Sequence, residues 1–190
     1  MRFRLFGVKI SVDFLFFVML CVSALTDESG MIIWGLLAAA IHECAHITAM
    51  KVFRIKISSL RVRCCGMEIC ADSENAGFAP RFIIAGAGVI VNLMLFPFCL
   101  KFEQFAAANL AMGAISALPI MPLDGAAMLK IVAEKLYGTD KAETICTVSS
   151  LVFLLPMAVC ALLLTMRSKY NCSLLALCIC SLASVFETLL

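Results

Sequence analysis

The chain has 190 residues, 63% of them hydrophobic and 15% charged, with a mean hydropathy of +1.05. Soluble domains are nearer half apolar and a quarter charged, so this composition excludes an ordinary soluble domain and points to an integral membrane protein. The net charge of +2 comes with no dense basic run, which argues against a nucleic-acid partner.

Met1-Arg2-Phe3-Arg4 precedes an apolar run, as the start of a signal peptide would. No small-x-small cleavage site stands before Asp27, so the segment reads as a retained first span. A membrane helix needs about 20 mostly apolar residues. The candidates are Val12–Thr26, Met31–Met50, Phe82–Leu100, Phe105–Leu123, Ile145–Met166 and Cys172–Leu190. Six spans put both termini on one side. With the N-terminus inside, only Lys101, Arg167 and Lys169 of the 15 lysines and arginines fall outside. Positive charge is retained on the cytoplasmic side. The expectation is therefore a multi-pass protein of the cell membrane with both termini cytoplasmic.

Lys51–Arg81 is the largest segment outside these spans. Ile57, Leu60 and Val62, then Met67 and Ile69, alternate in part, and Gly66 suits a turn. Ile55–Cys70 is read as a small cytoplasmic β-hairpin between spans two and three. Asp72-Ser73-Glu74-Asn75-Ala76-Gly77 reads as a solvated loop. The expected fold class is an all-α polytopic membrane protein carrying that hairpin, with 1–190 as a single domain. Most of the 11 cysteines lie in apolar segments, where a thiol behaves as a small hydrophobe. Cys64, Cys65 and Cys70 lack zinc-knuckle spacing, so no metal or disulfide role is expected of them.

Both histidines of the chain fall in His42-Glu43-Cys44-Ala45-His46, in the last third of the second candidate span. On a helix, positions four apart share a face. Two imidazoles so placed can grip one Zn²⁺, and the intervening Glu43 can serve as a general base toward water. The plainer reading is a pair of core histidines bonded between helices. Burying His, Glu and His in hydrocarbon costs several kcal/mol unless they are partnered or functional, which favours the metal.

A catalytic zinc takes three protein ligands and keeps one position open. Asp124, Glu68, Asp13 and Glu103 are candidates for the third. Asp124 is preferred because it ends a long uncharged run near the cytoplasmic end of its span, where His46 also lies. Pro119 and Pro122 break the helix before it and Gly125 relieves the chain after it. Broken helix at membrane depth is tolerated where it lines protein or a watery cavity. Glu68 falls in a segment read as strand among other charges and is more simply a surface carboxylate.

The H-E-x-x-H cluster late in an early span, joined to Pro119, Pro122 and Leu123-Asp124-Gly125, resembles the site-2 protease family of intramembrane zinc proteases. Ser116 stands where that family usually has Asn. Gly88-Val89-Ile90-Val91-Asn92 keeps the Gly and Asn of a further family motif, with Val89 in place of its Pro. The resemblance runs from about Phe6 to Lys135. It implies a zinc endopeptidase in which His42, His46 and Asp124 hold Zn²⁺ and Glu43 is catalytic. Asn92 is assigned to substrate backbone, with an interhelical polar contact as the plainer reading.

The compact six-span layout is similar to the stage IV sporulation protein FB type. That type processes a membrane-associated precursor of a sporulation sigma factor and is held inactive by other membrane proteins. The implied partners are a membrane-associated protein substrate, an inhibitory membrane protein and the lipid bilayer. The C-terminal nucleotide-sensing CBS domain usual in that type is not expected here. The alternative is a divalent metal-ion transporter using the same ligands. Transport folds favour repeated halves and several acids along a path, whereas this chain shows one compact cluster.

Overall fold

The computed structural model describes residues 2–5, 8–27, 29–63, 66–71, 76–168 and 173–189. In chain order the elements are β1 (Arg2–Leu5), β2 (Val8–Val12), α1 (Phe14–Thr26), α2 (Met31–Val52), β3 (Ile57–Arg63) and β4 (Gly66–Ala71). There follow α3 (Phe78–Phe98), α4 (Glu103–Ser116), α5 (Asp124–Tyr137), α6 (Thr139–Ser168) and α7 (Ser173–Leu189).

The start of α2 is fixed by one carboxylate. Asp27 accepts from the Ile32 amide at 2.7 Å, the Ser29 amide at 3.0 Å and the Ser29 hydroxyl at 2.7 Å. Helix N-termini leave amides without intrahelical partners, and an anion there is favoured by the helix dipole. The Ile32 amide and the Ser29 hydroxyl hold the Asp27 carboxyl below its ordinary value.

The other end of α2 closes as a Schellman turn. Ile55 N–H donates to Met50 O at 2.9 Å and Arg54 N–H to Lys51 O at 3.0 Å. Arg54 takes the left-handed conformation that this motif requires, with φ 58°. The chain is thereby turned out of the helix and enters β3 within three residues.

The expected hairpin is present as β3 and β4, antiparallel, with Arg63 opposite Gly66. It is half of a larger unit. The N-terminal residues form a second antiparallel hairpin, β1–β2, and β2 lies parallel to β3 with Ile10 opposite Leu60. The result is a four-stranded sheet of order β1-β2-β3-β4. Parallel neighbours need a crossover, which α1 and α2 supply by leaving the sheet and returning to it.

Among the described residues, three helices are long and apolar enough to cross a membrane: Met31–Val52, Phe78–Phe98 and Thr139–Arg167. Shorter apolar helices occur at Phe16–Leu25 and Leu174–Phe186. With 13 residues in α1, a rise of 1.5 Å per residue gives roughly 20 Å against a hydrocarbon core of about 30 Å. The expected fourth span, Phe105–Leu123, is helical only to Ser116, and α4 has 14 residues. The remainder is irregular up to α5, as the two prolines dictate.

The packing order explains how distant residues meet. Helix α2 lies against α3 and α4, α3 against α4 and α5, α5 against α6, and α6 against α7. A core cluster of Ile120, Leu154, Ala161 and Cys178, backed by Leu118, Leu123 and Met157, pins the irregular segment onto α6 and α7. Large apolar side chains such as Leu151, Val152, Leu155, Val159 and Leu163 are exposed along α6. A face of that kind suits lipid rather than water.

Candidate metal centre

His42 and His46 lie one turn apart on α2 and are 6% and 7% exposed. Their Nε2 atoms stand 3.2 Å apart. Asp124 Oδ2 reaches to 2.7 Å from His42 Nε2 and 3.4 Å from His46 Nε2. The separation of 82 positions between His42 and Asp124 is bridged because α3 packs on α2 and on α5 alike.

The local sequence explains why Asp124 arrives there. It is the first residue of α5, with Leu123 as N-cap in extended conformation. An ionised carboxylate is favoured in the first turn of a helix. The approach is shaped by α6. Ser150 Oγ accepts the Met121 amide at 2.9 Å, and Ser149 Oγ donates to Pro119 O at 3.1 Å. Two backbone groups freed by the broken helix are thus satisfied by adjacent serines, as membrane interiors demand. Gly125 closes the fit. A Cβ at that position would lie against the Ala117 carbonyl oxygen and 2.5 Å from both Ala117 C and Leu118 O.

The donor set fits a single divalent ion. All three ligand atoms lie within 4.8 Å of one another. Ligand atoms ~2.0–2.1 Å from a tetrahedral zinc stand roughly 3.3 Å apart, and the observed separations of 2.7, 3.2 and 3.4 Å bracket that value. His46 is also braced as a ligand should be. Its Nδ1–H donates to the Ile84 carbonyl at 2.7 Å, which leaves the Nε2 lone pair directed at the cluster. Helix α3 comes this close because residue 88 is glycine: a Cβ there would be 2.5 Å from His42 Nε2.

Among the described residues, Asp124 is the carboxylate that meets the two histidines. Asp13 is exposed at the start of α1, and Glu103 is exposed at the start of α4. The side chain of Glu68 lies outside the described residues, as do those of Cys64, Cys65 and Cys70. Glu43 follows His42 on α2 and is half-buried. Asn92 is fully buried on α3, its Nδ2 3.4 Å from His42 Nδ1. Ser116 is buried at the last turn of α4, where the chain leaves the helix.

Sequence reasoning missed the serine pair that holds the 119–121 backbone, and the Ile84 carbonyl. Ser149-Ser150 carried a readable signal, two adjacent hydroxyls in an uncharged span. The Ile84 carbonyl carried none, because a backbone atom has no residue type.

The fold and the cluster together define a mostly helical protein with membrane-length helices and a His-His-Asp group, its histidines buried and its carboxylate half-buried, placed so that it could hold a metal ion. No protein-family profile and no curated protein matches the chain. Among solved structures, the chain is similar to the site-2 protease from Methanocaldococcus jannaschii, with a TM-score of 0.73 and 20% identity. The match covers 99% of this chain and 94% of that one. The two share a fold.

Proposed function

We propose that the chain is a zinc-dependent endopeptidase of the site-2 type, acting on a membrane-associated protein. The observation that carries this reading is the convergence of His42, His46 and Asp124 on one point, with Glu43 on the same helix. The fold shared with a site-2 protease supports it.

His42 Nε2, His46 Nε2 and Asp124 Oδ2 would hold the zinc ion, which would supply Lewis-acid polarisation of a peptide carbonyl and acidify water. Glu43 accepts a proton from the attacking water on its carboxylate and returns it to the leaving amine. Asp124 neutralises charge and completes the ligand set, and α2 and α3 exclude bulk water from the two imidazoles. The substrate must present extended backbone, because a helix hides its carbonyls from attack. A strand added to the edge of the sheet is one way to hold it.

The topology that accompanies this reading has six crossings with both termini cytoplasmic. His46 lies six residues before the end of α2, roughly 9 Å along the helix at 1.5 Å per residue, so the site faces the cytoplasmic side. Within the site-2 proteases the compact layout favours the stage IV sporulation protein FB type. The substrate is then a sigma-factor precursor, and an inhibitory membrane protein is the regulator.

Asp124→Asn tests the ligand set. The neutral amide removes the anionic donor, and we expect zinc to be lost from the purified protein together with cleavage of a co-expressed membrane substrate. Unchanged zinc content and activity would move the third ligand to another carboxylate, Glu68 first.

A further inference from the structure

A histidine that offers Nε2 to a metal keeps its ring proton on Nδ1. A buried Nδ1–H requires an acceptor. Ligating histidines take one from a carboxylate, a backbone carbonyl or water, and that bond fixes the ring. His46 has the Ile84 carbonyl at 2.7 Å. The group facing His42 Nδ1 is the Asn92 amide nitrogen at 3.4 Å, a donor opposite what must be a donor. Asn92 is 0% exposed, and its Oδ1 is buried without a hydrogen-bond partner among the described residues.

The two ends of a carboxamide are nearly isosteric, so a half-turn of the side chain exchanges them without a clash. That turn sets the orphaned oxygen opposite Nδ1. Either orientation leaves one end of the amide unpaired among the described residues, so the tautomer of His42 decides between them. We propose that Asn92 is the positioning partner of His42: its carboxamide oxygen accepts the Nδ1–H bond and thereby holds Nε2 as a metal ligand.

The spacing on α3 supports this assignment. Ile84, Gly88 and Asn92 recur every four residues, so they form one stripe along the helix. All three are buried. The Ile84 carbonyl braces His46, Gly88 lets the His42 ring lie against the helix, and Asn92 braces that ring from its far side. One face of α3 therefore orients both imidazoles of α2. The proposal goes beyond the peptidase reading and rests on the metal site within it. It also places Asn92 behind the ring, on the Nδ1 side, while Asp124 meets Nε2.

The test is zinc affinity of the purified chain in detergent, read by competition with a fluorescent chelator, for wild type, Asn92→Leu and Asn92→Asp. Leu removes the acceptor at similar volume, and zinc affinity should fall about 10–100-fold. Asp supplies the acceptor in either orientation, so affinity should stay within about threefold of wild type or rise. Leu binding as tightly as wild type, or Asp binding as weakly as Leu, would overturn the proposal. Wild type that binds no zinc would instead overturn the metal site itself.

Should Asn92→Leu fail to fold, ¹⁵N-histidine NMR of zinc-loaded wild type decides. Only two histidines are present, so both rings can be assigned. Protonated Nδ1 on His42 is the expected result, and an Nε2-protonated His42 with zinc bound contradicts it.

Discussion

Glu43→Gln is expected to abolish cleavage while leaving about one zinc per chain. Glutamine keeps the size and hydrogen-bonding reach of the side chain but cannot take a proton. General-base catalysis contributes about 10²–10⁴-fold, and cleavage of a co-expressed membrane substrate should fall by that factor. The metal should stay because the three ligand atoms belong to His42, His46 and Asp124, which the change does not touch. Stability should also hold, because the change alters no apolar packing. The pair of readouts separates the roles. Loss of both zinc and activity would make Glu43 part of the metal site, and retained activity would remove it from the chemistry.

Gly125→Ala is expected to damage both the metal site and the fold, by adding a single methyl group. The new Cβ would meet backbone atoms, Ala117 C and Leu118 O at 2.5 Å. Backbone cannot rotate aside as a side chain can, so either α5 or the end of α4 must move. The movement begins one residue from Asp124. Overpacking of this kind costs about 1–3 kcal/mol, which should lower the thermal midpoint in detergent. A shift of order 1 Å in a reacting group can cost about 10²-fold in rate, and cleavage should drop accordingly. Chelator competition should show weaker zinc binding in the same protein. A variant with wild-type zinc affinity and midpoint would mean that the close contact at Gly125 does not hold Asp124.

Much of the site was legible because its parts are local. His42 and His46 share a face through helical spacing alone, and Pro119, Pro122 and Gly125 mark the broken helix beside Asp124 without reference to anything distant. Helix α2 was readable for the same reason, since 22 residues of apolar sequence leave few options. What was not legible depends on partners far along the chain. Strand β2 has five residues and is fixed by pairing with β3, about fifty residues later, so in sequence it is indistinguishable from the flank of the first apolar run. Helix α5 is not legible as a span, because Asp124, Lys130, Glu134 and Lys135 interrupt its apolar residues. The hydroxyls of Ser149 and Ser150 acquire their meaning only once α6 lies beside the irregular segment.

The stripe on α3 shows the same division. Gly88 and Asn92 stood out in the sequence, but what they face is set by the antiparallel packing of α3 on α2. A glycine whose absent Cβ makes room for a histidine ring looks, in sequence, like any other glycine in an apolar helix.

The central claim, that His42, His46 and Asp124 bind one zinc ion, is tested most directly by zinc K-edge X-ray absorption on the zinc-loaded chain. The expected spectrum has nitrogen and oxygen donors at ~2.0–2.1 Å with the scattering of two imidazoles and no sulfur shell. A sulfur shell at ~2.3 Å would place the metal on some of the 11 cysteines and contradict the site.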